Sequence, residues 1–335
     1  MTYAIMRNPR HGRVYFDGAV AEAKSLRSKI KFENIREADI GRVPYVLLDT
    51  VEALTGADIR LLSRMSFAYA IFELSDGLLS PIARDSGYFI DEDISAILKY
   101  SGKTNELFTR LMLNLSMAHC KDTGPIRILD PMAGKGTTLF EGLMLGLDVY
   151  GVEIDPKPAY EAFVYIKKHF EMAKYKHASH TEKIGGIGAD SKKFTATRYQ
   201  VEMARTKEEQ KDGKSRRFEI IAGDTRNVHN FYKKEFFNVI IADLPYGVQH
   251  GAKKKPQAGG NITRNALELV TEAMPGWMKV LKPGGTVTLA WNLFLITREE
   301  MARLFAACGL TVQEGQDFSH RLDQATHRDL IVGVK

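Results

Sequence analysis

The chain has 335 residues, of which 44% are hydrophobic and 26% charged, a balance that is ordinary for a folded globular protein and excludes an intrinsically disordered one. Its formal net charge of +6 favours polyanionic partners, and no apolar run approaches the roughly 20 residues that a membrane span needs. The N-terminus lacks the apolar core of a signal peptide, and Cys120 and Cys308 have no metal-ligand spacing, so we expect a cytoplasmic protein with two free thiols, no metal site and no membrane partner.

The N-terminal part of the chain contains several short strand-like pieces. They are YAIM, RVYF, VPYVLLD and FAYAIFEL, and a basic stretch around 24–31 lies among them. We interpret residues 1–85 as a small α+β domain that contributes to substrate recognition. Beyond the boundary, Leu107, Leu111 and Leu115 recur at every fourth position, which predicts a helix with one apolar face over 104–119.

From residue 125 onward, β-rich runs alternate with helical patterns. The predicted strands lie at 126–130, 148–155, 218–224, 237–243 and 285–292, with helices at 137–147 and 158–172. This alternation predicts a parallel sheet covered by helices on both faces, a Rossmann-like α/β fold. After a helix near 297–308, the runs 310–318 and 328–334 follow each other without a helix, which predicts an antiparallel hairpin at the edge of the sheet.

A long basic insertion separates the second predicted strand from the third, at about 174–217. Segments of this length without a clear pattern are usually functional or disordered, and clustered cations fit a nucleic-acid surface as well as a merely solvated one. Its cations are Lys192, Lys193, Arg198, Arg205, Lys207, Lys211, Lys214, Arg216 and Arg217, and Lys253, Lys254 and Lys255 form a second basic run.

A glycine-rich loop, Asp130 to Thr138, follows the first strand and opens a helix. Glycines at such a place let the backbone approach a ligand, which the N–H groups of the helix N-terminus then face. A dinucleotide fingerprint would need a third glycine where Leu139 stands, and a phosphate-binding loop would need an earlier glycine before Gly134-Lys135. A ligand-free turn remains the alternative. The candidate ligand contacts are Asp130, Pro131, Ala133, Gly134, Gly136, Thr137 and Thr138.

Acidic residues follow the next two strands. Glu153 can accept hydrogen bonds from both hydroxyls of a ribose, with Ile154 beside it and Asp155 as the alternate acid. Asp224, with Thr225, is the corresponding candidate for the amino group of an adenine. A helix-capping or turn aspartate is the alternative interpretation of Asp224.

The segment Asp243-Leu244-Pro245-Tyr246-Gly247 follows an apolar strand and indicates the reaction class. An exocyclic amine is a poor nucleophile because its lone pair is delocalised into the ring. The carboxylate of Asp243 and the carbonyl of Leu244 can accept its two N–H bonds and so align the lone pair. Tyr246 can stack on the base, an interaction worth roughly 1–3 kcal/mol, and Pro245 restricts the loop. A plain turn is the alternative.

Together these motifs resemble those of the S-adenosylmethionine-dependent amino-methyltransferases that act on nucleic-acid bases, and particularly the RNA methylase family that includes the tRNA guanine-N2 methyltransferases. The resemblance covers residues 86–335, although Leu244 replaces the first proline of the usual Asp/Asn-Pro-Pro-Tyr/Phe tetrad and residues 1–85 do not read as a THUMP domain. It implies a class I fold with a seven-stranded, mostly parallel sheet, and S-adenosylhomocysteine as the product. Lys103, Thr104 and Asn105 correspond to an element at the methionine end of the cofactor site in that family.

The resemblance implies methyl transfer to an exocyclic amine, namely guanine N2 in tRNA or another RNA. The alternatives are a DNA adenine or cytosine amino-methyltransferase, a protein glutamine N-methyltransferase, and a non-catalytic nucleic-acid-binding module. His250 is interpreted as a surface residue rather than a general base, and Arg321, Asp323 and Arg328 of the final hairpin are further candidates for substrate contact.

Overall fold

The computed structural model describes residues 1–9, 18–92, 94–97, 104–122, 124–188, 191–245, 266–313 and 318–335. Within these ranges the strands form two sheets, and no helix has the length and apolar character to cross a membrane. Both cysteines, Cys120 and Cys308, are half-buried free thiols.

The N-terminal sheet is antiparallel, with strands in the order β2-β3-β1-β4-β5. Its elements are β1 (Thr2–Arg7), α1 (Ala19–Lys24), β2 (Asn34–Ile40), β3 (Val43–Asp49), α2 (Gly56–Ser63), β4 (Ala68–Ser75) and β5 (Leu78–Ile82). The succession βαββαβ, with β1 between β3 and β4, is a ferredoxin-like arrangement extended by one strand. Both helices pack on one face, over a core that includes Ile5, Val46 and Leu62. The predicted RVYF strand, residues 13–16, lies outside the described residues.

The second sheet has ten strands among the described residues, in the order β13-β15-β12-β11-β6-β7-β10-β9-β8, with β14 paired to β15. Its elements and their helices are α3 (Ile94–Ile97), α4 (Glu106–His119), β6 (Arg127–Asp130), α5 (Thr137–Met144), β7 (Asp148–Glu153), α6 (Pro156–Met172), β8 (Lys176–Ile187), β9 (Lys193–Ala204), α7 (Lys207–Lys211), β10 (Arg216–Ala222), α8 (Val228–Phe231), β11 (Phe237–Asp243), α9 (Ala266–Val280), β12 (Leu281–Asn292), α10 (Arg298–Ala307), β13 (Thr311–Val312), β14 (His320–Arg321) and β15 (His327–Val334).

The centre of this sheet is parallel, and its C-terminal end is antiparallel. Strands β10, β7, β6, β11 and β12 pair in parallel, whereas β15 runs antiparallel to β12, β13 and β14. One core packs beneath α4, α5 and α6, and another lies on the opposite face beneath α9 and α10. The run from β10 to β13 confirms the predicted Rossmann-like, seven-stranded sheet with its terminal hairpin.

The basic insertion at 174–217 folds as a β-hairpin, which corrects the expectation of an unpatterned segment. Strands β8 and β9 pair with each other, and β9 pairs antiparallel with β10, so the hairpin extends the sheet. Polar side chains occupy both faces of β8 and of the first half of β9. The apolar–polar alternation by which a strand is recognised is confined to 199–203, at the end of β9.

Helix α4 joins the two sheets through a buried polar contact. The side chain of Glu22, on α1, is fully buried, and burial raises the pKa of its carboxyl group. It accepts hydrogen bonds from Nδ2 of Asn114 on α4 (2.7 Å) and from the backbone N–H of Ser66 (3.0 Å). Asn114 also donates to the carbonyl of Arg64 (3.0 Å). The N-terminal sheet is thus tied to the helix that begins at the candidate active site.

Candidate active site

The glycine-rich loop between β6 and α5 lies tightly against β7. The N–H of Ala133 donates to the carbonyl of Val152 (2.9 Å). A side chain at Gly151 would prevent this approach, because a Cβ there would lie 2.8 Å from the Cβ of Ala133. The glycine at position 151 therefore determines how closely the loop approaches the strand that carries Glu153.

Two glycines of the loop have left-handed backbone conformations, with φ of +52° at Gly134 and +89° at Gly136. A Cβ built on Gly134 would contact nothing within 4 Å, so there is open space over this backbone. Gly136 precedes α5, whose first residues, Thr137 and Thr138, are buried. The loop therefore presents bare backbone and a helix N-terminus to a ligand at the carboxyl edge of the sheet.

Glu153 ends β7 beside this open space. Its Oε2 accepts the N–H of Gly134 (2.8 Å) and its Oε1 accepts the N–H of Asp155 (2.9 Å), which fixes the carboxylate. Burial raises its pKa. Each oxygen keeps a lone pair for a hydroxyl group, so the geometry suits a ribose. The side chain of Ile154 is 71% exposed and offers an apolar contact next to it.

Asp130 is the most strongly perturbed carboxyl group of the site. Burial raises its pKa to about 7, and the nearby charges of Glu153 and Asp243 act in the same direction. It accepts the N–H of Met132 (2.9 Å) and a hydrogen bond from Thr138, and Pro131 is buried in the same turn. Three carboxyl groups thus converge at one edge of the sheet, which fits a ligand that carries positive charge.

Asp243 ends β11, and residues distant in the sequence hold its carboxylate. Oγ1 of Thr104, just before α4, donates a hydrogen bond to Oδ2 (2.7 Å), and Nη2 of Arg328, on β15, lies 3.6 Å from the same oxygen. The guanidinium of Arg328 is buried against the ring of Phe108, 4.3 Å from its centroid. Sequence reasoning assigned Thr104 to the cofactor and Arg328 only to substrate contact, because no local pattern indicates either contact with Asp243.

The residues after Asp243 are anchored through the backbone. The N–H of Leu244 donates to the carbonyl of Ala290 on β12 (2.8 Å), and the Leu244 side chain is buried in the core. Pro245 is exposed. Tyr246, Lys103, His250 and the second basic run lie outside the described residues, so their predicted roles remain predictions.

Three other residues predicted to contact the cofactor have hydrogen-bond partners within the protein. The carboxylate of Asp224 accepts the N–H of Arg226 (2.9 Å) and pairs with its guanidinium (2.5 Å), as the capping interpretation anticipates. The hydroxyl of Thr225 accepts the indole N–H of Trp277 in the core (3.0 Å), so its side chain serves packing. Asn105 caps α4 by accepting the N–H of Leu107 (2.8 Å).

A match to a known protein family identifies the kind of enzyme to which this site belongs. Residues 99–286, more than half of the chain, match the model of the RMKL-like methyltransferase domain. The chain belongs to this family. It is a class I, S-adenosylmethionine-dependent methyltransferase, and the match spans the glycine loop, Glu153 and Asp243. The positively charged sulfur of S-adenosylmethionine fits the convergent carboxyl groups, its ribose hydroxyls fit Glu153, and its methionine portion fits the open space over Gly134. Among the described residues, no group of His, Cys, Asp or Glu has the arrangement of a metal site.

The solved structures that match this chain are distant in sequence. A Pyrococcus horikoshii protein thought to be an RNA methyltransferase is 12% identical, with a TM-score of 0.41, and the match covers 72% of this chain and 94% of that one. An rRNA methylase from Streptococcus thermophilus is 12% identical (TM-score 0.35; 70% and 99% covered), and TYW2 of P. horikoshii, in complex with MeSAdo, is 14% identical (TM-score 0.37; 79% and 71% covered). No curated protein matches the sequence.

Proposed function

We propose that this methyltransferase acts on an exocyclic amine of an RNA base, namely N2 of guanine in tRNA. One observation carries the proposal: Asp243 lies at the carboxyl end of β11, within 2.7 Å of the Thr104 hydroxyl, and is followed directly by Leu244 and Pro245. A fixed carboxylate followed by a backbone carbonyl provides two acceptors for the two N–H bonds of a planar amine.

The cofactor site is assigned to residues of two loops, those that follow β6 and β7. We infer that Glu153 binds the ribose hydroxyls, Ile154 contacts the adenine, and the loop around Gly134 accommodates the methionine portion. S-adenosylmethionine supplies a methyl group on a positively charged sulfur and leaves as neutral S-adenosylhomocysteine. The carboxyl group of Asp130 provides negative potential beside that site when it is ionised.

Asp243 and Leu244 act on the substrate amine in this proposal. Their oxygens accept its N–H bonds, which turns the nitrogen lone pair toward the methyl group. As the N–C bond forms and the C–S bond breaks, the amine becomes cationic, and its acidified proton passes to the Asp243 carboxylate or to water. Thr104 keeps the Asp243 carboxylate in one orientation through its 2.7 Å hydrogen bond, so that no rearrangement is needed during the reaction.

Residues 1–85 are proposed to recognise the polynucleotide. Their sheet is tied through Glu22 and Asn114 to α4, whose N-terminal side carries Thr104. A substrate bound by the N-terminal domain would therefore be held in a fixed position relative to Asp243.

The test is transfer of a labelled methyl group to unmodified tRNA, ribosomal RNA, DNA and protein, each offered separately. Label in tRNA that is recovered as N2-methylguanosine after digestion supports the proposal. Label confined to DNA or protein contradicts the proposed substrate but keeps the methyltransferase. Label in RNA on another atom contradicts only the guanine N2 assignment. The Asp243→Ala variant is the control for label that does not arise at this site.

A further inference from the structure

The carboxylates of strands β8 and β9 lie on one face of the hairpin. Every second residue of a strand points to the same side of a sheet, and two residues paired directly across neighbouring strands also point to the same side. By the pairing of β8 with β9, both carboxylates of these strands, Glu182 and Glu202, lie on one face, together with Arg198. Arg198 pairs with Glu182 (2.6 Å) and Glu219 (3.3 Å) there. The other face of the two strands bears Lys183 and Lys193 and, in its described part, no carboxylate.

The end of the hairpin projects beyond the carboxyl edge of the sheet. Strand β10 ends at Ala222, which pairs with Thr197 of β9. Because β9 runs antiparallel to β10, residues 193–196 and their partners on β8 continue past that point. Lys193, paired with Ile187, is the last pair of the ladder. Lys193 and Ile187 therefore lie at the same edge of the sheet as the glycine-rich loop, roughly 13 Å beyond Ala222 at the usual rise of a strand.

Two contacts anchor this projecting end. The ring of Phe194 packs edge-on against Phe231 of α8, with 5.5 Å between the ring centroids. Nδ2 of Asn230 donates to the carbonyl of Ile187 (3.1 Å). The end of the hairpin is therefore held in place by the segment that follows Asp224, and its lysines are presented from a fixed position.

Aromatic residues lie between the face that bears Lys183 and Lys193 and the glycine-rich loop. Tyr199 shares the side of Thr197, and its ring lies 5.8 Å from that of Tyr160 on α6. The Tyr160 side chain is 53% exposed, and the Ile187 side chain is 66% exposed. The next residue of α6, Glu161, pairs with Lys135 of the glycine-rich loop (2.7 Å). A continuous surface thus extends from the end of the hairpin to the glycine-rich loop.

We propose that this surface, the overhang face, binds a single-stranded segment of the RNA substrate. It is defined by Tyr160, Lys183, Ile187, Lys193, Thr197 and Tyr199. Lys183 and Lys193 contact phosphates, and the exposed ring of Tyr160 stacks on a base. Lysines interleaved with an exposed aromatic ring are the combination that binds single strands without a sequence preference. This inference rests on the proposed RNA substrate and adds the place where the strand lies.

The sequence provides a matched control within the same basic segment. Lys207 and Lys211 are exposed on α7, which connects β9 to β10 at the opposite, amino edge of the sheet. The variants Lys183→Ala/Lys193→Ala and Lys207→Ala/Lys211→Ala remove the same charge. A general effect of net charge would make them alike, whereas the overhang face predicts that only the first pair matters.

The experiment measures binding of a fluorescein-labelled oligouridylate by fluorescence anisotropy over a series of salt concentrations, without cofactor. For each phosphate that a lysine no longer neutralises, the slope of log affinity against log salt should become shallower by about 0.7. We expect this change in the Lys183→Ala/Lys193→Ala variant and the wild-type slope in the α7 variant. Tyr160→Ala should bind about tenfold or more weakly, and Tyr160→Phe, which keeps the ring, should bind like the wild type.

Equal slopes in the wild type and the Lys183→Ala/Lys193→Ala variant, an equal change in both double variants, or no salt-dependent binding by the wild type would overturn the inference. Methyl transfer to the separate substrate pools is measured on the same preparations. If the wild type methylates RNA while the Lys183→Ala/Lys193→Ala variant has the wild-type slope of log affinity against log salt, only the role of the overhang face is refuted. If the wild type methylates only DNA or protein, the proposed RNA substrate is refuted, whatever the slopes.

Discussion

The hydroxyl of Thr104 donates a 2.7 Å hydrogen bond to Oδ2 of Asp243, and the two residues are 139 positions apart in the sequence. This contact connects the N-terminal side of α4 with the end of β11. Because Arg328 lies 3.6 Å from the same oxygen, the carboxylate is positioned from two directions before any substrate binds. A preorganised acceptor avoids the cost of rearrangement during the reaction.

Replacing Asp243 by Ala should lower the turnover number by about 10²–10³, the usual effect of removing one preorganised electrostatic group. The affinity for S-adenosylmethionine, measured by calorimetry, should remain close to that of the wild type. Undiminished turnover in this variant would contradict the assignment of Asp243 as the amine acceptor.

Replacing Thr104 by Val should lower kcat by roughly tenfold or more, because a hydrogen bond to a charged group contributes about 1.5–3 kcal/mol. The change is expected in kcat rather than in the KM for S-adenosylmethionine. Thr104→Ser keeps a hydroxyl and should restore most of the activity. An unimpaired Val variant beside an impaired Ser variant would show that the methyl group, which Val keeps, matters rather than the hydrogen bond.

Gly134→Ala should weaken cofactor binding. An alanine in the left-handed conformation (φ +52°) costs about 1–2 kcal/mol, and its methyl group would enter the open space over the loop. Gly213→Ala is the matched control, since Gly213 has φ +69° and is equally open, but lies in the exposed turn after α7. Urea unfolding should give similar losses of stability for the two variants, while calorimetry should show weaker cofactor binding only for Gly134→Ala.

The raised pKa of Asp130 makes stability depend on pH. Its carboxyl group titrates near 3.8 in the unfolded chain and at about 7 in the folded protein, so between these values the unfolded state binds fewer protons than the folded state. The free energy of unfolding should therefore decrease as the pH rises from about 4 to about 7. Asp130→Asn should remove this component, and urea unfolding at several pH values measures it.

Asp122 serves as a control of opposite sign for that measurement. Lys282 holds the pKa of Asp122 below its usual value, so its contribution is present at neutral pH and is lost as the pH falls. Asp122→Asn should therefore flatten the acidic side of the stability profile, whereas Asp130→Asn changes the range between about 4 and 7. The same change of slope in both variants would argue against the burial of Asp130 as its cause.

Asn114→Ala should lower the free energy of unfolding by about 1–3 kcal/mol, because it removes a hydrogen bond from the buried Glu22 carboxyl group and leaves the Arg64 carbonyl without this donor. Asn34→Ala removes an exposed amide on β2 and should change the stability little. Urea denaturation of the two variants provides the comparison. A loss no larger than that of Asn34→Ala would show that the contact between the sheets contributes no net stability.

The sequence predicted the central sheet well, because its buried strands are apolar runs that end in chemically distinctive loops. The helix boundaries follow from capping residues near them in the sequence. Asp155 caps α6, which has Pro156 in its first turn, and α5 ends before Gly146, which has φ +80°. The family resemblance also indicated the glycine loop and Glu153. These features depend on neighbours in the sequence.

Features that depend on distant pairs were not predictable in this way. The β8–β9 hairpin has polar side chains on both faces over most of its length, so an apolar stripe is confined to the end of β9. Arg328 and Thr104 approach Asp243 only after three separate parts of the chain have assembled. The N-terminal sheet, with strands in the order β2-β3-β1-β4-β5, likewise follows from pairings that its short and mixed strands do not indicate.

The position of β15 has a consequence for biosynthesis. The N-terminal sheet has all its strands once Ile82 has been made, so it can fold while the ribosome still translates the remainder. The large sheet must wait, because β15 is synthesised after β12 and β13 and inserts between them. Arg328 arrives with that strand. A nascent chain interrupted before β15 would therefore lack both the partner of β12 and the cation beside Asp243, and would remain inactive until translation resumed.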